Sequence, residues 1–325
     1  MRRSLFWLFS FLPLLLVLGI VELSLSYQFN QWQQQFINAY ESRDRCTRAS
    51  QNPVLIYEGK PGKCGANRLG YRDKEIPLVK QDDVFRIVII GDSVAAGQRV
   101  KRRESFGHLL RQSLQQHNTS EQSYEVFVLA MSGYSTSQEL VVLKQQALAL
   151  EPDPIFWSYV LNDPAHPVFH NANGHLGAYF YKPRSHIPHF FSNRFFFLWE
   201  KLLRKQCSET EYHHLLHCVY RSQVIDHFSD LAATAERHKI PIWLGIHPNI
   251  VNFENYRYQQ IHDFISEQAL QHSFRVLDFL EVYQEYNLKD LQVDKFDTWH
   301  PNSLGHRLIY ETILLEFRKH YLSSG

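Results

Sequence analysis

The sequence predicts an α/β fold, a doubly wound parallel sheet beginning near residue 83, with an apolar helix ahead of it and an aromatic-rich insertion within it. Three observations carry that reading. Short runs rich in Val and Ile recur along the chain, stretches with helical periodicity separate them, and hydrophobic residues make up 44% of the whole, enough for a sizeable core. Strands that alternate with helices pair in parallel, because a parallel connection needs a crossover.

The elements follow in order. Arg2 and Arg3 precede an uncharged, apolar stretch from Ser4 to Val21, which Glu22 ends. About 18 apolar residues is the lower limit for a helix that spans a bilayer. Positive charge ahead of such a helix keeps the N-terminus in the cytoplasm. Residues 1–26 are therefore expected to be a single-pass membrane anchor, with the body in the periplasm or outside the cell. A cleaved signal peptide, with Ser24 and Ser26 as small residues near the cut, is the alternative, and it exports the body equally. Residues 27–82 read as a stalk and leader, Gln-rich at first (Gln31, Gln33, Gln34, Gln35), then polar and turn-rich with Pro61-Gly62 and Gly65.

From 83 to 322 the alternating pattern holds. Strands are expected over 85–90, 124–130, 154–160, 241–246 and 274–279, because these runs are short, apolar and rich in β-branched residues. Helices are expected over 104–116, 137–149, 224–238, 256–272 and 303–320. The rhythm breaks between 163 and about 220, a stretch crowded with His, Phe and Pro (Pro164, His166, Pro167, His170, Pro188, Phe190, Phe191, Phe195, Phe196, Phe197), which reads as an insertion beside the sheet.

Four cysteines form two local pairs, Cys46 with Cys64 and Cys207 with Cys218. An even count in an exported chain favours disulfides, and the local pairing is preferred among the three possible. The second pair has a rival reading as zinc ligands, since Cys207, His213, His214, His217 and Cys218 lie together. A net charge of +1, spread along the chain, gives no electrostatic case for a nucleic-acid partner. Nor is there a zinc-finger spacing or a Gly-rich phosphate loop.

Open α/β sheets hold ligands at the carboxyl ends of their strands, so the residues that follow each strand carry the chemistry. Gly91-Asp92-Ser93 follows the first strand, Ser132-Gly133-Tyr134 the second and Asn162-Asp163 the third, while Asp297-Thr298-Trp299-His300 precedes the last helix. Each has an ordinary structural use when taken alone, as a cap or a turn residue. Together they supply the parts for acyl transfer. A serine hydroxyl needs a base, which the His300 imidazole provides, and Asp297, three residues earlier, can hold the other ring N–H. The Ser93 and Gly133 amides and the Asn162 carboxamide can hold an oxyanion.

These ordered blocks, Gly91-Asp92-Ser93, Gly133, Asn162-Asp163 and Asp297-x-x-His300-Pro301, resemble those of the SGNH/GDSL hydrolase superfamily over about residues 83–320. The resemblance implies a three-layer, flavodoxin-like fold. It implies catalysis by Ser93, His300 and Asp297, an oxyanion hole of Ser93, Gly133 and Asn162, and no cofactor or metal. Val160 stands where the family often has glycine, and Met131-Ser132 where asparagine often precedes the block-two glycine. The expected substrate is a small-molecule or glycan ester, with O-acetylated surface glycan first, and the expected reaction is hydrolysis or O-acyl transfer through an acyl-serine. The alternatives are a lipase or thioesterase acting on acyl lipids, and a non-catalytic carbohydrate-binding module that stacks sugars on Phe156, Trp157, Trp299 and the insertion's aromatics.

Overall fold

The computed structural model describes residues 2–41, 46–52, 54–119, 121–165, 186–187, 202 and 205–322. Five parallel strands make its main sheet. These are β3 (Val84–Gly91), β4 (Ser123–Ala130), β5 (Ile155–Val160), β6 (Ile242–His247) and β7 (Arg275–Asp278), in the spatial order β4-β3-β5-β6-β7. A separate two-stranded sheet pairs β1 (Thr47–Ala49) antiparallel with β2 (Tyr57–Gly59). β5 and β6 are buried at every position, and β3 from Arg86 to Gly91. That explains why they read as continuous apolar runs: both faces are covered by helices.

Two helices cover one face, α2 (Phe106–Gln115) and α7 (Ser303–Phe317), which pack on each other, with α2 also on β4. The other face carries α3 (Thr136–Val142), α5 (Arg221–His238) and α6 (Gln259–Gln271), in successive contact. This is the three-layer, doubly wound arrangement expected. All five strands fall where the apolar runs put them, within one or two residues. Three helices differ in detail: α3 passes into a π turn at Leu143–Ala147 and a 3₁₀ turn at Leu148–Leu150, α5 begins three residues earlier than its periodicity suggests, and α6 three residues later. Ahead of α6, Phe253 and Tyr256 are buried as loop residues, so their apolar spacing reflects packing rather than helix.

Ahead of the sheet, α1 is one helix over Arg2–Glu41, and its stretch Leu12–Gln31 has a mean hydropathy of 1.7 with none of it buried. That is long and apolar enough to cross a membrane. Residues 46–82, read from the sequence as part of a stalk, are packed on the sheet. Leu55, Ile56, Tyr57, Tyr71 and Ile76 join the main core. Asp73 is fixed by a buried pair with Arg111 of α2, at 2.6 and 2.5 Å, and accepts the Val128 amide at 2.8 Å. Arg111 in turn donates to the Val126 carbonyl at 2.7 Å. Strand β4 lies at the sheet edge, so these bonds satisfy backbone groups that no neighbouring strand reaches.

Both cysteine pairs are disulfides, Cys46–Cys64 and Cys207–Cys218, with Cα atoms 5.5 and 6.1 Å apart. The second bond takes both sulfurs out of the rival zinc set. It ties down α4 (Tyr212–Val219), which lies near the C-terminal end of the predicted insertion. His166, Pro167, His170, Pro188, Phe190, Phe191, Phe195, Phe196 and Phe197 lie outside the described residues.

Candidate active site

β3 ends on Gly91, and the chain turns at once. A Cβ on Gly91 would lie 2.7 Å from the Ser158 Cβ and 2.9 Å from that of Ala95, so only glycine lets the turn close against β5. Ser93 therefore sits at the carboxyl edge of β3, in a turn rather than at a helix start, with the Gln98 amide on its carbonyl at 2.9 Å. Gly133 follows β4 with φ +82°, a left-handed conformation that favours glycine. Asn162 follows β5 and is buried. β4, β3 and β5 are neighbours, with β3 in the middle and its two partners on opposite sides. The three residues thus follow the carboxyl ends of three adjacent strands, at the point where the winding of the sheet reverses, which is where such sheets form their crevice.

His300 arrives from the loop before α7. Asn302 caps that helix by accepting the Leu304 and Gly305 amides, and its Nδ2 holds the Asp290 carbonyl at 2.8 Å, so the loop is pinned at its far end. The Ile250 amide on the Thr298 carbonyl, at 2.7 Å, pins its middle. His300 Nε2 lies 3.0 Å from Ser93 Oγ, and His300 Nδ1 lies 2.9 Å from both oxygens of Asp297. With Nδ1–H donating to Asp297, Nε2 is left as the acceptor for the serine proton. Asp297 also accepts the Trp299 and His300 amides at 3.2 and 3.0 Å. Burial opposes its ionisation, yet the His300 amide, the His300 ring and the Trp299 amide outweigh it and hold the carboxyl below the usual carboxylate range.

Several neighbours of this group have no signal in the sequence. Arg99 pairs with Asp297 at 3.3 Å and with Asp294, from a backbone at φ +72° that a non-glycine residue adopts at a cost. Arg72 donates to the Ala96, Gly97 and Val100 carbonyls at 3.0, 2.7 and 2.9 Å, which clamps the loop that carries Ser93. Tyr57 donates to the Ser132 carbonyl at 2.7 Å, while Tyr134 donates to the Tyr57 carbonyl at 2.6 Å, so the pair brackets Gly133. Under the site, Ser158 bonds the buried His247 at 2.8 Å, and burial pushes that imidazole down to about 3.

The aromatic residues divide. Phe156 and Trp157 are 2% and 1% exposed, so they are core residues, and the expectation that they stack on sugars is corrected. The cause is the parallel sheet, which buries both faces of β5. Trp299 is 46% exposed beside His300, with Tyr212 near-parallel at 11° and 6.4 Å between ring centres.

A hydroxyl, an imidazole and a carboxylate bonded in series at the carboxyl edge of a parallel sheet have the geometry of a serine hydrolase. Residues 89–308 match the model of the GDSL-like lipase/acylhydrolase family. The chain belongs to this family and is a serine hydrolase acting on ester bonds. No curated relative matches the sequence. Solved structures with a similar course include the acetyl xylan esterase AlAXEase, at 16% identity and a TM-score of 0.46 over 71% of this chain and 99% of that one. TesA is similar at 14% identity and a TM-score of 0.48, over 72% and 98%. The lipase/acylhydrolase from Enterococcus faecalis is similar at 14% and 0.44, over 72% and 96%.

Proposed function

We propose that Ser93 is the nucleophile, with His300 as its base, Asp297 as the group that orients the base, and the Ser93 amide, Gly133 amide and Asn162 side chain as the oxyanion donors. The observation that carries this is the unbroken hydrogen-bond series from Ser93 through His300 to Asp297. Ser93 Oγ bonds the acyl carbon as its proton passes to Nε2. The alcohol then leaves with that proton, and water, or a sugar hydroxyl, releases the acyl group by the reverse steps. The substrate is a short acyl ester on a surface glycan, O-acetyl first. The half-exposed Trp299 next to His300 supports this, since a sugar ring lies well on an indole face.

The body works outside a membrane that α1 spans, with the N-terminus cytoplasmic. Arg2 and Arg3 ahead of the apolar stretch support that orientation, and two disulfides support an oxidising compartment. The full chain in detergent is expected to cleave p-nitrophenyl acetate and to react with a fluorophosphonate at Ser93. A folded sample that neither hydrolyses nor labels, or one that labels equally after Ser93→Ala, refutes the assignment.

A further inference from the structure

Between Arg3 and Glu41 the sequence holds a single charged residue, Glu22. Helix α1 runs through it without a break. At 1.5 Å per residue, Glu22 stands about 28 Å along the helix from Arg3, close to the thickness of the hydrocarbon core of a bilayer. With Arg3 at the inner boundary, Glu22 comes to the outer one. Ile20 and Leu23 beside it are 66% and 72% exposed, so at this level the helix has apolar surface to give to lipid. A carboxylate in such a place is costly unless it is paired.

The insertion supplies the pairing. One Glu22 oxygen accepts the His186 amide at 2.6 Å, and the other accepts the Ile187 amide at 2.7 Å. His186 Nδ1 lies 3.2 Å from the first oxygen. The His186 ring also meets Phe29 edge to face, with ring centres 5.4 Å apart. Phe29 is about two turns beyond Glu22, on the same side of α1. Hydrogen bonds to an ionised group are short and strong, and two backbone donors on one carboxylate fix direction as well as place.

The course of the chain gives this contact its meaning. The insertion begins after β5 and ends at α4, which Cys207–Cys218 ties down. His186 lies midway, 21 residues from Ala165 and 21 from Cys207. A segment of that length can reach about 70 Å when extended, so both of its ends can stay at the sheet while its middle touches α1. Helix α1 itself continues from Glu22 to Glu41, about 28 Å further, before β1 begins the body. The body is thus held to α1 at two levels, one past the far end of the helix and one at Glu22.

We propose that the insertion is a membrane-docking element, with His186 and Ile187 seated on Glu22 at the outer boundary of the bilayer. The partner of this surface is lipid, at the level where headgroups meet acyl chains. The seat sets the height and the orientation of the body, so the crevice at Ser93 works at a fixed distance from the membrane and not at the end of a free stalk. The role rests on α1 spanning the membrane, and is independent of which residue is the nucleophile.

The full chain in phosphatidylcholine vesicles tests this. The four native cysteines are all bonded, so an introduced cysteine is the one free thiol. A fluorophore on Ile187→Cys is expected to be quenched by lipid that carries a nitroxide high on its acyl chain, and to lose that quenching when Glu22→Ala is added. A fluorophore on Leu16→Cys, inside the apolar stretch, is expected to be quenched by a nitroxide near the chain end with or without Glu22→Ala.

Quenching at Leu16 but not at Ile187 overturns the proposal and leaves the membrane span standing. Quenching at neither site overturns both. Quenching at Ile187 that Glu22→Ala leaves unchanged means that Glu22 is not the seat, and overturns the proposal too. Should labelled Ile187→Cys not fold, Phe29→Cys with His186→Cys keeps the Glu22 seat and reads the same contact. A short thiol cross-linker is then expected to join the two in the same vesicles, seen as a shift in gel mobility, and to fail with Glu22→Ala. No cross-link in the presence of Glu22 overturns the proposal.

Discussion

At the scale of single residues, Asp297 is the point where sequence and environment meet. It holds the imidazole through one ring nitrogen and is itself held by two amides and Arg99. Asp297→Asn keeps the shape but can donate to Nδ1, which turns the imidazole to the wrong tautomer. Activity on p-nitrophenyl acetate is expected to fall by about 10³–10⁴ with the fold intact, read as kcat/KM beside an unchanged circular dichroism spectrum. The Ser93–His300–Asp297 series and the places of Gly133 and Asn162 at strand ends were legible in the sequence, because such sheets gather ligand-facing residues there; the roles proposed for them follow from what the reaction needs. Arg99 and Arg72 were not. Arg is common on surfaces, and its partners can lie far along the chain: Arg99 meets Asp294 and Asp297 across about two hundred residues. Only folding makes such a residue distinctive.

At the scale of elements, the strands were read almost to the residue, since strands buried on both faces show as short, nearly continuous apolar runs. The segment 46–82 was misjudged for the converse reason. Its grip on the sheet is polar: Asp73 on Arg111, Arg72 on three carbonyls and Tyr57 on one. Polar, turn-rich sequence looks the same whether its hydrogen bonds go to water or to a sheet edge. The Asp73–Arg111 pair is 3% and 5% exposed, so removing one partner leaves a charge buried alone. Asp73→Ala is expected to cost about 3–5 kcal/mol of stability, measured by chemical denaturation, and to loosen the sheet edge at β4. A change below about 1 kcal/mol would mean that the segment is not integral to the folded domain.

At the scale of the whole molecule, the proposed membrane span of α1 would divide the chain between two surroundings, an apolar stretch and a disulfide-bonded body. Sealed vesicles that carry the full chain in its native orientation should protect the body from external protease if they are inverted, and expose it if they are right side out. The opposite pattern would place the body on the cytoplasmic side and contradict the export reading. Under the proposed tether, the body also has a load path. Tension that enters from α1 crosses the Cys46–Cys64 bond directly, so the loop it closes, which includes β1, β2 and Tyr57, bears none of it. The Gly133 turn, braced by Tyr57, is mechanically shielded. The next fastenings are Arg72 and Asp73, which deliver the force to the loop of Ser93 and to α2. Reducing that one bond would reroute the strain through β1 and β2 and draw the Gly133 turn into the line of pull.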